Sequence, residues 1–172
     1  DLNLRNIKRL NKFNIIYRNK NKENIEDLRK FRNLCKVKLI RFFVANDVNL
    51  AVKIKADGLY LSSYNKSFKG LFLKSKLIII GSAHNSREIV LKIKQGCNYI
   101  LLSKLFVVDY DRNSQTLGIL KFNNYTLLFN KIIPLGGIKI SNINKLKSIR
   151  SHGFAILSEI KKKPAKIISR LF

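Results

Sequence analysis

The segment Ile132–Ile160, IIPLGGIKISNINKLKSIRSHGFAILSEI, decides the fold class of this chain. Its order predicts a strand, a turn at Gly136-Gly137, a helix, another glycine and a second strand. The polar turns Gly136-Gly137 and Ser158-Glu159 then follow consecutive parallel strands. In a parallel α/β barrel the functional site lies at that edge, and the turns after the last strands often hold a phosphate. The segment therefore predicts a barrel that binds a small phosphorylated molecule.

A repeated theme extends this interpretation along the chain. Lys55–Leu61, Gln95–Leu102 and Ser151–Leu157 each contain a helix end, a glycine and a short apolar strand. The glycine supplies the left-handed residue that ends a helix, and strands that are apolar throughout are typical of a sheet covered on both faces. Because helices separate the strands, we expect βα units around a parallel sheet.

The same patterns predict the individual elements. The predicted strands are Asn14–Tyr17, Lys38–Val44, Leu59–Leu61, Leu77–Ile80, Tyr99–Leu102, Ile132–Leu135 and Phe154–Leu157. The predicted helices are Leu2–Lys12, Glu23–Asn33, Val48–Lys55, Ser86–Gln95, Asn142–Arg150 and Ala165–Leu171. A weaker helix or turn is expected around Phe68–Phe72, and a loop over Val107–Asn124. Asn85, with Glu88 three residues later, predicts a capped helix start.

The chain length and the cysteines constrain the overall organisation. The 172 residues suit one domain, 1–172, but are fewer than the roughly 250 of a usual eight-stranded barrel. We therefore expect the first strand either to lie upstream of Asp1 or to be missing from an open barrel. Cys35 and Cys97 are expected to be buried, reduced thiols of a cytoplasmic protein. No apolar run reaches the ~18 residues that span a bilayer.

The net charge is extreme, with 35 basic against 10 acidic residues and a formal charge of +25. Such a charge is typical of proteins that bind nucleic acid or an anionic membrane. Here the basic residues are spread along the whole chain, among many Asn and Ile, rather than gathered in one arm. We therefore favour a basic surface without a dedicated polyanion partner and keep nucleic acid as an alternative.

The order of motifs resembles the thiamine phosphate synthase/TenI superfamily, over roughly Asn14 to Ile160. The matching pieces are Arg18-Asn-Lys20, Asn46–Ala51, Ala56–Leu61, Ser82-Ala-His84, Gly96–Ile100, Leu117-Gly118, Pro134–Ile138 and Ala155–Ser158. The resemblance implies a TIM (β/α)8 barrel. It also implies either the synthase reaction, which joins hydroxymethylpyrimidine pyrophosphate to thiazole phosphate with Mg²⁺, or the tautomerisation of a thiazole carboxylate phosphate. Family members that form dimers make a homodimer an expectation by analogy.

The thiazole-phosphate side of the family site is retained. By resemblance, Gly136, Gly137, Leu157 and Ser158 hold the monophosphate, and backbone N–H groups at such a turn bind an anion without a charged side chain. A lone Gly-Gly turn is a weak signal by itself, since many tight turns use glycine. Further substrate-binding residues implied by the resemblance are Arg18, Lys20 and Ser82.

The magnesium and pyrophosphate side is degraded. The family's two magnesium-binding aspartates match Asn46 and Asn65, and magnesium prefers carboxylates. Asp47 is adjacent but is expected to cap a helix. A family glutamine matches Ile16. The family's pyrophosphate-gripping Thr-x-Thr-Lys stretch matches Val108-Asp-Tyr-Asp111, whose acidic and apolar groups would repel a pyrophosphate.

His84 matches the catalytic acid/base of the TenI-type tautomerases. An imidazole suits proton transfer because its ordinary pKa lies near ~6.5. A histidine at a strand end also commonly just hydrogen-bonds a loop, and synthases often carry one here. His152 is expected only to contact helix carbonyls.

Three functions remain open from the sequence. The first is a TenI-like protein of thiamine biosynthesis that binds a thiazole phosphate-type ligand, with tautomerase activity through His84 and no assigned metal. The second is thiamine phosphate synthesis, with Mg²⁺ at an unusual site of Asn46, Asp47 and Asn65. The third is a non-catalytic phosphate- or polyanion-binding protein on a decayed barrel.

Overall fold

A single parallel sheet organises the molecule. The computed structural model describes residues 13–18 and 24–157. Within these ranges six parallel strands follow one another in sequence order and curl into a half-barrel, the predicted α/β architecture. They are β1 (Asn14–Tyr17), β2 (Arg41–Ala45), β3 (Gly58–Leu61), β4 (Ile78–Ala83), β5 (Tyr99–Leu102) and β6 (Ile132–Pro134).

Helices connect these strands across one face of the sheet. The α-helices are α1 (Ile25–Val37), α2 (Val48–Lys53), α3 (Ser86–Lys94) and α4 (Gly118–Leu128), and 3₁₀ helices span Lys69–Leu73 and Ile140–Ser148. Asn85 caps α3, with its Oδ1 accepting from the Glu88 amide at 3.0 Å, as predicted. Asp47 caps α2 by accepting from the Leu50 amide at 2.8 Å, also as predicted.

Successive side chains of a strand point to opposite faces of the sheet, so the core has an outer and an inner layer. On the outer face, Phe42 and Val44 of β2 pack with Leu28 and Cys35 of α1. On the inner face, the side chains of four successive strands form a separate buried cluster: Phe43, Tyr60, Ile80 and Leu101. The strands from β2 to β5 are therefore largely buried on both faces, which explains why they are nearly continuously apolar.

Several predicted boundaries are wrong by a few residues, for local reasons. The second strand begins at Arg41 rather than Lys38, because the Ile40 amide donates to the Cys35 carbonyl at the end of α1 (2.9 Å). β4 extends to Ala83 because Gly81 and the residues after it pair with β5. The 3₁₀ helix starts two residues before the predicted Asn142.

The prediction of a loop throughout Val107–Asn124 is wrong, because α4 begins at Gly118. Its sequence signal is weak: Leu117 offers no side-chain cap. Leu120 and Leu127 are exposed while Phe122 is buried, so the helix lacks a clear division into polar and apolar faces.

The predicted seventh strand, Phe154–Leu157, is reduced to a single parallel bridge between Leu135 and Ala155. The ladder stops on one side because Gly136 leaves the strand conformation with φ +95°. On the other side, the carbonyl of Ile132 accepts from the Ser151 hydroxyl at 2.9 Å. The predicted helices Leu2–Lys12 and Ala165–Leu171, and the question of a strand before Asp1, lie outside the described residues.

Both cysteines are free thiols, as predicted. Cys35 is fully buried and Cys97 is half-buried, and burial raises the pKa of each to about 11. Of the helices in the described ranges, none has the length and apolar character needed to cross a bilayer.

Candidate functional site

A cavity of about 150 Å³ opens at the carboxyl-terminal edge of the sheet. Most of the residues that line it lie near the ends of β1, β3, β4, β5 and β6 or shortly after them, the edge at which parallel α/β barrels hold their sites. The segments 108–110, from the loop after β5, and 155–157, beyond the last 3₁₀ helix, complete the wall. The lining residues are Arg18, Tyr60, Ser82, Ser103, Lys104 and the segments 62–64, 108–110, 135–139 and 155–157.

The structure brings five of the sequence-predicted site residues together around this cavity: Arg18, Ser82, Gly136, Gly137 and Leu157. They come from four separate stretches of the chain, so only the fold makes them neighbours. The predicted residues Lys20 and Ser158 lie outside the described residues.

Glycine is required in the turn after β6. Gly136 and Gly137 adopt φ +95° and +68°, where side chains are strained. A Cβ on Gly137 would lie 2.4 Å from the carbonyl oxygen of Phe106. The side-chain amide of Asn142 donates to the Gly137 carbonyl at 2.8 Å and fixes the turn from its other side.

This turn presents unused backbone donors. Within the described part of the chain, the N–H groups of Gly137 and Ile138 donate to no protein acceptor. Ile138 is only 4% exposed, and a buried N–H group without an acceptor is rare and costly. Successive N–H groups in a left-handed turn form an anion-binding concavity.

The cations of the cavity differ in their surroundings. Arg18 places its guanidinium 5.7 Å from the ring centroid of Tyr60. Lys104 forms a salt bridge with Asp111 and also donates to the Ser114 hydroxyl at 2.8 Å.

Lys139 forms a second salt bridge in the cavity wall, with Asp109. The sequence predicts that Asp109 and Asp111 repel a pyrophosphate, but it does not reveal that Lys139 and Lys104 neutralise them. Lys104 and Lys139 could have been noticed, because each follows a strand end as Arg18 does.

The positions that match the family's magnesium ligands form a closed hydrogen-bond network. Asn46 Oδ1 accepts three hydrogen bonds, from the Ser62 amide (2.9 Å), the Ser62 hydroxyl (2.9 Å) and Asn65 Nδ2 (3.1 Å). Asn65 Oδ1 accepts from the Ser67 amide at 2.9 Å. Asp47 is occupied as the cap of α2.

This donor set does not fit a magnesium ion. The side-chain oxygens at the two positions are neutral and already engaged in hydrogen bonds, whereas magnesium prefers carboxylates. No group of three or more His, Cys, Asp or Glu side chains able to hold a metal occurs among the described residues.

A buried lysine holds the segment 62–67, which carries part of the cavity wall. Lys92 of α3 is fully buried, and its Nζ donates to the carbonyls of Ser62 and Asn65 at 2.7 Å each and to Gln95 Oε1 at 2.9 Å. Gln95 in turn donates to the carbonyls of Asn65 and Ser67. Burial lowers the pKa of Lys92.

His84 follows β4 directly but does not line the cavity. Its Nδ1 lies 3.0 Å from Oε2 of Glu88, which also accepts from the His84 amide at 2.8 Å. Burial would raise the pKa of Glu88, but the hydrogen bonds from His84 outweigh it and keep that pKa below its usual value. The ring is therefore oriented through Nδ1 by a carboxylate one helical turn away.

A family model and the curated relatives indicate one family. Residues 10–160 match the family described as thiamine monophosphate synthase. The thiamine-phosphate synthase of Prochlorococcus marinus (strain AS9601) is 32% identical over 144 residues, which cover 80% of this chain and 40% of that protein. The thiamine-phosphate synthase of Geobacillus thermodenitrificans is 28% identical over 140 residues, covering 79% of this chain and 63% of that protein.

A solved structure supports the fold. Thiamine phosphate pyrophosphorylase from Pyrococcus furiosus matches with a TM-score of 0.69 at 20% identity, over 92% of this chain and 84% of that one. The chain spans about 40% of the length of the first curated relatives that it matches.

Proposed function

The chain belongs to the thiamine monophosphate synthase family, and we propose that it binds a phosphorylated thiazole-type ligand of thiamine biosynthesis. The turn at Gly136-Gly137 carries this proposal, because it turns the unused N–H groups of Gly137 and Ile138 into an anion site. Arg18 lines the same cavity and adds a positive charge. A phosphate monoester matches this combination of backbone donors and one guanidinium.

Thiazole tautomerisation is the reaction that we assign to this ligand, with His84 as acid and base. Supporting this, His84 lies directly after β4 and two residues after Ser82, which lines the cavity, so its ring is next to the cavity without being part of its lining. Glu88 holds Nδ1, so Nε2 is the atom that would exchange a proton with the ligand.

Calorimetric titration with thiazole phosphate tests the phosphate site. Leu157 lines the cavity and is 42% exposed, so a polar side chain there is tolerated. Leu157→Asp places a carboxylate beside the phosphate and should weaken binding at least about tenfold, equivalent to ~1.4 kcal/mol. The matched control is Leu157→Asn, with nearly the same shape and no charge, which should retain binding. Equal affinities for both variants, or no binding by the unaltered protein, would overturn the phosphate site.

A turnover assay with the thiazole carboxylate phosphate tests the assigned reaction. His84→Ala should abolish turnover without weakening ligand binding, because the imidazole would act on the proton and not on the phosphate. His152→Ala, which removes the other histidine, is the control and should leave turnover unchanged. An active His84→Ala variant removes His84 from the mechanism.

Thiamine phosphate synthesis is the second candidate, favoured by the names of the curated relatives. It requires Mg²⁺-dependent product from hydroxymethylpyrimidine pyrophosphate and thiazole phosphate. The engaged oxygens of Asn46 and Asn65 argue against it. Absence of product at high protein and high magnesium concentration would discard this candidate, whereas steady turnover would replace the tautomerase assignment.

A further inference from the structure

The turn 108–111 places two carboxylates against the lysines of the cavity wall. An antiparallel bridge joins Val108 and Asp111, and the Asp111 amide donates to the Val108 carbonyl at 3.2 Å. The hydroxyl of Ser114 donates to the Asp111 carbonyl at 3.0 Å and accepts from Lys104 at 2.8 Å. The turn is therefore a defined structure that presents its carboxylates in one arrangement.

The two lysines reach this turn from different strand ends. Lys104 follows β5, and Lys139 follows the glycine turn after β6. Each contributes to the cavity lining and each makes a salt bridge to one carboxylate of the turn, Lys104 with Asp111 and Lys139 with Asp109. The side chain of Lys104 is only 20% exposed, so solvent screens its charge less than that of a surface lysine.

The salt bridges reduce the charge available to a ligand. Three cations line the described part of the cavity, and two of them are neutralised by the turn, which leaves Arg18 as the cation without a carboxylate partner there. The hydrogen bond from Lys104 is the largest cause of the lowered pKa of Asp111, so this carboxylate stays ionised at neutral pH. A ligand that recruited the lysines would have to displace bound carboxylates.

We infer that the two carboxylates of the turn 108–111 set the specificity of the cavity: by neutralising its two lysines, they favour a ligand with one phosphate group over a ligand with two. A single phosphate needs only the glycine-turn amides and Arg18. A second phosphate group would need the positive charge of the lysines, and the carboxylates of the turn already neutralise that charge. This inference rests on the proposed phosphate site and adds the class of ligand that the site excludes.

Calorimetry with inorganic phosphate and inorganic pyrophosphate, without metal, tests the inference. The double variant Asp109→Asn and Asp111→Asn keeps the shape and an acceptor oxygen for each lysine but removes both negative charges. Pyrophosphate should bind this variant at least about tenfold more tightly than the unaltered protein, with a smaller gain for phosphate. Adding Lys104→Met and Lys139→Met to the double variant should remove most of the gain.

The matched control removes two carboxylate charges away from the cavity, each of them likewise paired with a cation. Glu26→Gln with Asp27→Asn, in the exposed first turn of α1, also removes two negative charges. A similar gain for this control would assign the effect to net charge and overturn the inference.

The remaining outcomes separate the two proposals. If phosphate binds the unaltered protein but the double variant gains nothing for pyrophosphate, the inference is wrong and the phosphate site stands. If the unaltered protein binds no phosphate while the double variant gains pyrophosphate, the carboxylates do mask an anion site and the proposed function fails. Binding of neither anion to either protein overturns both.

Discussion

The ammonium group of Lys92 lies 2.7 Å from the carbonyl oxygen of Ser62. Lys92 is fully buried in α3, and Ser62 lines the cavity beyond the end of β3. A side chain on the outer layer of the fold therefore holds one wall of the candidate site.

Replacing this lysine should destabilise the protein. Lys92→Met keeps the apolar stem but leaves the carbonyls of Ser62 and Asn65 buried without that donor, which costs on the order of 2–4 kcal/mol. Urea unfolding measures the loss. Lys94→Met, on the exposed face of the same helix, is the control and should change the free energy of unfolding by less than ~0.5 kcal/mol. An equal loss of unfolding free energy in the two variants would show that Lys92 contributes no more to stability than an exposed lysine does.

The same lysine should make stability depend on pH. Burial lowers the pKa of Lys92 from its ordinary 10.5, so the unfolded state binds more protons between the lowered value and 10.5. The contribution of Lys92 to the free energy of unfolding therefore rises with pH in this window and is constant below it. Buried Cys35 and Cys97, with pKa raised to about 11, act in the opposite direction above their ordinary 9.0.

Comparison of two proteins cancels the contribution of Cys35 and leaves that of Lys92 together with its electrostatic interaction with Cys97. The difference in the free energy of unfolding between the unaltered protein and Lys92→Met should grow as the pH rises from neutral toward about 10.5. A difference that stays constant across this range would mean that the folded state does not shift the pKa of Lys92.

Substitution of the turn glycine should be costly. Gly137→Ala combines a φ of +68° with a Cβ 2.4 Å from the Phe106 carbonyl oxygen. Strain and overpacking together predict a loss of roughly 2–5 kcal/mol, measured by thermal or urea unfolding. Gly118→Ala, with φ +64° but open space around the Cβ, should lose only about 1 kcal/mol. Gly153→Ala, with open space and no positive φ, should be near neutral, and any other ranking contradicts the geometric account.

A pair of carboxylates should create the metal site that the chain lacks at Asn46 and Asn65. Because Asn65 Nδ2 lies 3.1 Å from Asn46 Oδ1, Asn46→Asp with Asn65→Asp places two like charges together and should lower the Tm. Mg²⁺ at ten times its Kd should then restore about 1.4 kcal/mol, or about 3–6 °C in Tm.

The control for this prediction adds the same two charges elsewhere. Asn124→Asp with Asn130→Asp, both exposed, should not respond to Mg²⁺, and neither should the unaltered protein. A Tm of the site variant that is independent of Mg²⁺ would show that the engaged network around Asn46 cannot open to a metal.

The sequence predicted the strands best where the local signal is strong. β1 and β5 have the predicted bounds, and Asn85 caps α3 as expected. Both kinds of signal depend only on residues that lie a few positions apart in the sequence. It failed at α4, which has no side-chain cap and exposes Leu120. The packing of Phe122 under the helix, and not its sequence pattern, stabilises α4.

The candidate site also combines a feature that the local sequence predicts with one that it does not. The glycine turn was identifiable because a strand followed by two glycines demands positive φ at a tight connection. The salt bridges of the lysines were not. Lys139 gains Asp109 only when the loops after β6 and β5 meet, and Lys104 gains Asp111 only through the folded shape of the loop that both residues share.

The sequence by itself determined the parallel βα order, the Gly136-Gly137 turn and the loss of carboxylates at Asn46 and Asn65. The first two follow from residue type and local spacing, and the third follows from the resemblance to the family. Only the tertiary structure decided that Asp109 neutralises Lys139, and that Lys92 reaches the Ser62 carbonyl. Both pairs are 30 residues apart in the sequence. Local propensity carries no information on such contacts, because the folded sheet and not the chain brings the partners within hydrogen-bond distance.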